Sequence, residues 1–350
     1  MEIKNNLKSK HIISNRYTST RTLPKNYSEK DNNIFKNELS RTINKTYYLN
    51  KKKITLFNSY LFFYKFLPLK SKFYRMQGSY LSMIKNSIKN IINYSQKEIQ
   101  TEYIDSASWV VDDKSHNYFH WMTDVLGRVF ILDNKIQQYP ILLPSELRNS
   151  KFILETLEIL EIPYKLFERE KKYLIKNLVL PSRTAEVGNY NKNFIHDISN
   201  QLVKSRLGNP RNENIKKIWL SRENESRRRI KNETEVKDFL LSKGYKCVYP
   251  DKLKLSEQID LFKNVERVVS IHGAALTNIM FMNKNSKVLE IRNNRDLKNN
   301  SFFSLASEFE IEYFYFLAES LSNNVHDDLT VDIKEFSKTL KLFENPLEIK

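Results

Sequence analysis

Glycine is scarce in this sequence, with only six among 350 residues. A dinucleotide-binding loop is written G-x-G-x-x-G and a P-loop G-x-x-x-x-G-K-[ST], so both need glycines close together. Neither pattern occurs, nor does the G-x-S-x-G turn that carries the nucleophile of α/β-hydrolases. The glycine positions therefore disfavour a standard dehydrogenase, a P-loop NTPase and a hydrolase of that kind. They are Gly78, Gly127, Gly188, Gly208, Gly244 and Gly273.

Cysteine and long apolar runs are equally scarce. A single cysteine, Cys247, excludes an intrachain disulfide and is typical of a reducing compartment. The most apolar stretch, residues 54–69, is interrupted by Asn58 and Lys65, and the first twenty residues lack the apolar core of a signal peptide. These absences predict a cytoplasmic protein. The aromatic and basic run at 60–75 is either part of a core or a peripheral membrane contact.

Positive charge, in contrast, is abundant. Lys and Arg total 58 against 41 Asp and Glu, a formal net charge of +17. Such an excess favours an anionic partner, whether nucleic acid, an anionic membrane surface or a phosphorylated small molecule. A general bias toward Lys and Asn explains the same excess, so charge alone identifies no partner.

Strand-like and helix-like segments alternate from about residue 101, a pattern typical of parallel sheets covered by helices. A polar stretch, NPRNEN at 209–214, reads as a linker. We therefore predict two α/β domains, at 1–210 and 211–330, followed by a tail helix within 331–350 that packs back on the N-terminal domain. Residues 1–50 are predicted to form an irregular lead and residues 79–95 a helix.

Polar residues follow several predicted strands of the second domain. Arg222 comes after IWLS, His272 and Gly273 after VVSI, and Glu290 within KVLEI. Ligands of open parallel sheets bind beyond the carboxyl ends of the strands. Gly273 is expected to permit a tight turn into a helix whose free N–H groups attract phosphate, with Arg222 and His272 as further donors. The pattern predicts a diphosphate site, although each residue alone also fits an ordinary turn or surface. Glu290 is expected to accept hydrogen bonds from ribose hydroxyls.

The stretch SHNYFHWMTD at 115–124 places His116, His120 and Asp124 four residues apart. On a helix, which we predict to begin at Ser115, they would lie on one face. Two other interpretations stay open: a capped helix start with solvent-facing polar residues, and a metal site, since H-x-x-x-H is a chelating spacing. Asp124 would lie about 12 Å from His116, too far to complete a single-ion site, which disfavours metal.

Four segments of the chain, taken in order, resemble glycosyltransferase family 61. They are NYFHWMTDVLGR, IWLSRENESRRRIKNETEV, LSEQIDLFKNVERVVSIHGAALTNIMFM and KVLEI. The resemblance extends over about residues 105–317, and residues 1–100 resemble nothing specific. It implies a GT-B fold, in which two Rossmann-like domains face each other across a cleft. It also implies an inverting enzyme that uses nucleotide-sugar donors, commonly UDP-sugars, and we expect no metal or other cofactor.

The resemblance can be carried over residue by residue. His120 and Asp124 match the family's H-x-x-x-D, and we predict Asp124 as the general base with His120 as the second candidate. His116 is predicted to orient Asp124 or to contact the acceptor, and Asn117 to contact the acceptor. Gly127 stands where many members have proline, which should ease helix continuation. Predicted at the donor are Ser221, Arg222, Arg229, Asn232, Glu233, Gln258, His272, Gly273, Ala274, Asn278 and Glu290; Glu257 matches the same block as Gln258.

The combined expectation is a transferase that adds a sugar to a glycan or lipid-linked glycan in capsule, lipopolysaccharide or other surface-polysaccharide synthesis. We expect it in the cytoplasm or at the inner face of the membrane, with no nucleic acid as partner. Three alternatives remain. A basic nucleic-acid-binding protein would use the +17 charge, but no recognisable module is present. An inactive relative would only bind glycans, and a glycoside hydrolase would need two carboxylates across one site.

Overall fold

The structure is a computed structural model that describes residues 10–57, 61–64, 67–68, 100–168, 170–206, 214–223, 225, 227–320 and 327–345. The chain forms two compact units, and each is described by itself. Unit 1 consists of Met1–Tyr17 and Asn44–Ala185, and unit 2 of Thr18–Ile43 and Glu186–Lys350.

The strands are numbered in chain order. They are β1 (Lys10–Ser14), β2 (Tyr17–Thr20), β3 (Ser40–Ile43), β4 (Thr46–Phe57), β5 (Leu61–Tyr64), β6 (Leu67–Pro68), β7 (Thr101–Ser108), β8 (Ile141–Pro144), β9 (Tyr164–Phe167), β10 (Lys172–Pro181), β11 (Lys217–Leu220), β12 (Lys246–Val248), β13 (Arg267–Ile271), β14 (Lys287–Asn293), β15 (Glu312–Ser320) and β16 (Leu329–Thr330).

The α-helices are numbered in the same way. They are α1 (Asn32–Phe35), α2 (Tyr118–His120), α3 (Leu126–Phe130), α4 (Lys151–Ile159), α5 (Lys192–Lys204), α6 (Glu233–Ser242), α7 (Leu255–Phe262), α8 (Ser301–Glu308) and α9 (Ile333–Glu344). A π-helical turn, Trp121–Val125, joins α2 to α3, and a 3₁₀ segment, Ala274–Phe281, follows β13. Shorter 3₁₀ turns lie at Glu29–Asp31, Asp133–Gln137, Ser145–Asn149 and Pro250–Lys252.

Unit 1 is built on a mixed sheet in the order β6-β5-β4-β10-β7-β8-β9, with β1 paired to β4. The ladder from β10 through β7 and β8 to β9 is parallel, whereas β4 runs antiparallel to β10. The irregular lead predicted for residues 1–50 is therefore wrong, because β1, β2, β3 and the start of β4 lie there. Three successive lysines, 51–53, break the apolar alternation of β4, although Ile54 and Leu56 are buried.

Unit 2 contains a sheet in the order β12-β11-β13-β14-β15-β16, in which all pairings from β12 to β15 are parallel. The predicted parallel α/β sheet is confirmed here. Because β12 lies on one side of β11 and β13 on the other, connections leave β11 and β13 in opposite directions. Such a switch point opens a crevice at the carboxyl ends of the two strands, where ligands of doubly wound sheets bind.

The tail helix α9 is present but does not pack where the sequence analysis expected it. Phe336, Leu340 and Phe343 are buried in the core of unit 2, together with Leu289 and Phe314. Its apolar stripe is satisfied by its own unit, so the expectation that it packs back on the N-terminal domain is corrected.

The segment Thr18–Ile43 also belongs to unit 2 rather than to the N-terminal unit. The side chain of Asn26 donates to the carbonyl of Tyr315 at 2.7 Å and accepts from its N–H at 3.1 Å, as a neighbouring strand would. Phe35 has no exposed surface and packs against the rings of Phe303 and Tyr315, with centroids 5.1 and 4.9 Å away. No local pattern in the sequence announces this long-range pairing.

The boundary between the units lies at 185/186, before helix α5, and differs from the predicted boundary at residue 210. Ser199 of α5 donates to the carbonyl of Met280, which ties the helix to unit 2 at 2.6 Å. Most of the predicted linker at 209–214, the predicted helix at 79–95 and most of the run 60–75 lie outside the described residues. Across the part of the chain that the structure describes, no helix is both long and apolar enough to cross a bilayer.

Replacing Phe35 with alanine should destabilise unit 2, because a fully buried aromatic ring is lost and leaves a cavity. The expected cost is about 3–5 kcal/mol. Leu23→Ala is the matched control in the same segment, since Leu23 is 39% exposed. Hydrogen exchange followed by mass spectrometry should show faster exchange in β15 for Phe35→Ala only. Faster exchange confined to unit 1 would contradict the assignment of residues 18–43 to unit 2.

Candidate functional site

The helix that carries His120 begins later than the sequence analysis predicted. Asn117 is its cap residue, and its side-chain oxygen accepts from the backbone N–H groups of Phe119 at 3.0 Å and His120 at 3.5 Å. His116 is exposed in the preceding turn, so it does not lie one helical turn from His120. Ser115, the predicted first helical residue, instead bonds the N–H of Asp112 through its hydroxyl at 2.7 Å. A chelating pair of histidines on one helix is therefore not formed.

His120 and Asp124 form a hydrogen-bonded pair across the π-helical turn. His120 Nδ1 lies 2.7 Å from Asp124 Oδ2, and the side chains are 17% and 10% exposed. Because an ionised carboxylate only accepts hydrogen bonds, the ring donates from Nδ1, which leaves Nε2 to take up or give a proton. π-helical turns are rare and often mark functional positions. Gly127 follows in α3, where a Cβ would come within 2.9 Å of Thr184 Oγ1.

Asp124 is itself held by a guanidinium group. Arg183, just after β10, places Nη1 3.3 Å from Asp124 Oδ2 and Nη2 2.6 Å from Asp112 Oδ2. Arg128 is fully buried; it also contacts Asp112, at 3.2 Å, and donates to the carbonyl of Val110 at 2.8 Å. Burial opposes ionisation of Asp112, but the charges of Arg128 and Arg183 outweigh it and hold its pKa below the usual range.

The sequence analysis missed Asp112, Arg128 and Arg183. The positions of Asp112 and Arg183 could have been predicted. They follow β7 and β10, which are parallel and adjacent at the centre of the sheet, so their side chains are expected at the same edge. Asp112, Arg128, Arg183, Asp124 and His120 form one network of hydrogen bonds and ion pairs. A carboxylate that orients an imidazole, and is itself oriented, is the arrangement expected of a general base.

In unit 2 the switch point brings Arg222 and Gly273 into direct contact. Arg222 follows β11 and Gly273 follows β13, and a Cβ on Gly273 would lie 2.2 Å from Arg222 Nη1. Gly273 has φ −179°, an extended conformation that any residue adopts. The expectation that Gly273 is needed for a tight turn is therefore corrected: it is needed because the guanidinium lies on its backbone.

The positive charges of Arg222 and Arg228 are only partly compensated by neighbouring acidic groups. Arg222 Nη2 donates to the carbonyl of Arg227 at 3.3 Å and lies 3.6 Å from Glu225, while its buried Nε has no hydrogen-bond partner among the described residues. Burial lowers the pKa of Arg222. Burial also lowers the pKa of Arg228, which Arg222 then lowers further by repulsion. Arg228 adopts the left-handed φ of 56°, which is strained for a residue other than glycine. Two guanidinium groups in this situation form a favourable place for an anion.

His272 is fixed by a buried carboxylate from the next strand. His272 Nδ1 bonds Glu290 Oε1, and Tyr313 Oη donates to Glu290 Oε2 at 2.5 Å. Burial opposes ionisation of Glu290, but His272, Arg292 and Tyr313 together lower its pKa. Glu290 has no exposed surface and both its oxygens are occupied. The expected bond from Glu290 to a ribose is therefore corrected, since this residue acts on His272.

Other residues predicted at the donor form hydrogen bonds with neighbouring loops and helices of unit 2. Ser221 donates to Glu233 at 2.5 Å, and both side chains are buried. Asn278 donates to Gln258 at 2.7 Å, and Gln258 in turn donates to the carbonyls of Pro250 and Leu253.

The remaining predicted residues lie in three places. Asn232 bonds both backbone groups of Val331, at 2.8 and 3.1 Å. Arg229 is half exposed and pairs with Asp328 at 2.9 Å. Ala274 is the first residue of the 3₁₀ segment, which replaces the predicted α-helix. Helix α7 is capped by Lys254, and the side chain of Glu257 accepts from the Lys254 N–H at 3.0 Å.

In the described part of the chain, no three His, Cys, Asp or Glu side chains are grouped so that they could hold a metal ion. The side chains beyond the carboxyl ends of β11 and β13 are guanidinium and imidazole groups, which suit a phosphorylated ligand.

The described chain thus has a parallel α/β sheet with arginine and histidine at its switch point, a position where doubly wound sheets bind ligands. Residues 118–289 match the model of the family Glycosyltransferase 61. This range includes His120, Asp124, Arg222 and His272, and Glu290 lies one residue beyond it. A comparison with curated proteins found no match. The region that carries both groups of site residues, residues 118–289, thus belongs to glycosyltransferase family 61, and this match supports glycosyltransferase activity.

Replacing Gly273 with alanine should displace Arg222 without unfolding the protein. The extended backbone tolerates a Cβ at this position, but the Arg222 guanidinium occupies the volume that the Cβ would need. Binding of inorganic pyrophosphate, measured by calorimetry, should weaken about tenfold or more, the value of one lost charge-assisted hydrogen bond. In an Arg222→Ala background the same substitution should change pyrophosphate affinity little, because the guanidinium that it would displace is absent. Equal losses in both backgrounds would show that Gly273 does not act through Arg222.

Proposed function

We propose that the protein is an inverting glycosyltransferase that moves a sugar from a nucleotide-diphosphate donor, a UDP-sugar, to a hydroxyl of a glycan. The observation that carries this proposal is the guanidinium of Arg222 laid on the backbone of Gly273 beside His272, at the switch point of the unit 2 sheet. The family match indicates the reaction class, and the positive charge of Arg222 beside His272 indicates a donor that carries a diphosphate.

The donor half of the mechanism is electrostatic. When the bond between the sugar and the diphosphate breaks, the leaving diphosphate gains negative charge. Arg222 and Arg228 hold positive charge in a partly buried site where it is weakly screened. Charges placed before the reaction stabilise the transition state more than the ground state, which is how such a site accelerates transfer. Because these cations serve the diphosphate, the proposed reaction needs no metal ion.

The acceptor half requires one base, because inversion proceeds by a single displacement. The sequence analysis favoured Asp124 for this role. In the structure, Asp124 Oδ2 is already shared by His120 and Arg183, at 2.7 and 3.3 Å. His120 is the more exposed of the pair, and its Nε2 is not used in the bond to Asp124. We therefore assign the base to His120 and give Asp124 the role of orienting the ring and stabilising it once it is protonated.

The proposal includes a GT-B enzyme in which unit 1 is the acceptor domain and unit 2 the donor domain. His116 and Asn117, at the start of the His120 helix, are proposed to contact the acceptor. The proposed acceptor is a glycan or lipid-linked glycan in capsule, lipopolysaccharide or other surface-polysaccharide synthesis, and the sugar is a hexose or a pentose. The net charge of +17 favours a peripheral position on the anionic cytoplasmic face of a membrane.

A thermal-shift panel with UDP, GDP, CDP, CMP, NAD and a short RNA, each with and without Mn²⁺, tests the donor site. UDP should raise the melting temperature, since a ligand at a hundred times its dissociation constant adds about 2.7 kcal/mol. The rise should be lost in Arg222→Ala and His272→Ala and kept in Arg295→Ala, an exposed arginine of the same unit. A rise with RNA alone would favour a nucleic-acid-binding protein, and no rise with any nucleotide would contradict the proposal.

The choice of base is tested by chemical rescue in a transfer assay. His120→Ala should lower turnover by about 10²–10⁴, the usual contribution of a general base, while UDP binding stays unchanged. Added imidazole should restore part of the activity of His120→Ala. Formate, which replaces a missing carboxylate, should not restore Asp124→Ala to the same extent. Full rescue of Asp124→Ala by formate, with no rescue of His120→Ala, would return the base to Asp124.

A further inference from the structure

His272 has a second partner that the donor site does not explain. Its outer nitrogen, Nε2, lies 2.8 Å from the side-chain nitrogen of Asn299. This is the nitrogen that faces away from Glu290, and it is the one with which His272 would reach a diphosphate. A phosphate oxygen could therefore reach Nε2 only by displacing the side-chain amide of Asn299.

The orientation of the Asn299 amide is decided by Ser301. Asn299 Oδ1 accepts from the Ser301 hydroxyl at 2.8 Å and faces the Ser301 backbone N–H at 3.4 Å. A backbone N–H can only donate, so the oxygen of the amide must be on its side. The NH₂ group of Asn299 then points to His272.

This orientation also decides where the proton of His272 is. An amide NH₂ only donates, so His272 Nε2 must accept and carries no proton. The ring proton is on Nδ1 and is donated to Glu290, whose other oxygen accepts from Tyr313. This pattern of hydrogen bonds corresponds to the neutral tautomer of His272 with its proton on Nδ1.

A phosphate oxygen has the opposite requirement, because it only accepts hydrogen bonds. We propose that Asn299 is a positioning residue that holds His272 neutral when no diphosphate is bound, and that a nucleotide diphosphate binds by replacing Asn299 while Nε2 takes up one proton. This inference rests on the proposed function, since it assigns the diphosphate to His272. Both ring nitrogens then donate, one to Glu290 and one to the phosphate.

Charged groups of both signs surround the His272 ring, so a bound anion changes the balance of charge around it. The ionised Glu290 stabilises an imidazolium, but the recess beside the ring is lined by groups of both signs. The charged and titratable groups around His272 are Glu290 and Tyr313 on the adjacent strands, Arg222 on the neighbouring Gly273, and Arg228, Arg292, Asp296 and Asp327 around the recess. Three of these are arginines, and their repulsion of an imidazolium is removed when the diphosphate arrives.

Release of Asn299 requires little movement of the backbone. Arg292 donates to the carbonyls of Asp296 and Asn299 at 3.2 and 3.0 Å, and the Asn299 N–H bonds Asp296 Oδ1 at 3.1 Å. Asn300 is anchored to the carbonyl of Ile34 at 2.8 Å. A rotation of the Asn299 side chain is therefore enough to free His272 Nε2.

The protonation state is tested first without any ligand. The full chain labelled with ¹⁵N-histidine has six histidines, and the signals that disappear in His272→Gln belong to His272. We expect the ring shifts of a neutral tautomer with the proton on Nδ1. A ring protonated on Nε2 in the unliganded protein would overturn the proposal, whatever the protein does with nucleotides.

Calorimetry with UDP then tests the exchange. Titrations at about pH 8, where the phosphates of UDP are already fully ionised, are run in buffers of low and high ionisation enthalpy. Wild type should take up close to one proton per UDP bound, and His272→Gln should bind UDP more weakly without proton uptake. Asn299→Leu should bind UDP about fivefold tighter, because one competing hydrogen bond is gone.

Asn283→Leu is the matched control, since Asn283 also donates one amide hydrogen bond, to the Lys263 carbonyl at 2.9 Å. It should leave both the affinity and the proton uptake unchanged. UDP binding to wild type with no proton uptake would overturn the role of Asn299 and leave the donor site intact. No UDP binding at all would instead contradict the proposed function.

Discussion

The carboxylate of Glu290 lies with no exposed surface within the parallel sheet of unit 2, and its charge has to be met by its neighbours. An unpaired charge in such a position costs several kcal/mol, so the surrounding elements are arranged around it. His272 comes from β13, Tyr313 from β15, and Arg292 lies two residues further along β14. Even the N-terminal segment takes part, because Phe35 packs against Arg292, with the guanidinium 5.5 Å from the ring centre.

Unit 1 follows the same logic with different residues. Asp112 is buried, two arginines meet its charge, and one of them extends the network to Asp124 and His120. In both units, a largely buried carboxylate bonds Nδ1 of a histidine, which leaves Nε2 for another partner. The difference lies in the partner of Nε2. In unit 2 the amide of Asn299 donates to it, and the proposed exchange of this amide for a phosphate depends on that contact.

Part of this could be foreseen from local pattern. Strand and helix alternation predicted the parallel sheet of unit 2, because β11, β12 and β14 are each followed by a helix. Strand ends also identified Arg222 and His272, since side chains after parallel strands meet at one edge. The pattern failed where a residue's function depends on what lies against it. Gly273 is needed for the approach of Arg222, and Glu290 supports His272 instead of a ligand, and neither reason is visible in the neighbouring residues.

The sequence by itself determined the parallel α/β layout of the C-terminal half, the site motifs and their order, and through them the family. These depend on periodicity and on residue type at short spacing, which the chain carries locally. Only the tertiary structure decided that residues 18–43 and helix α9 complete unit 2, that Asp124 is engaged by Arg183, and that Asn299 meets His272. Those pairings join residues far apart along the chain, and burial and hydrogen-bond direction, which are properties of the folded state, select them.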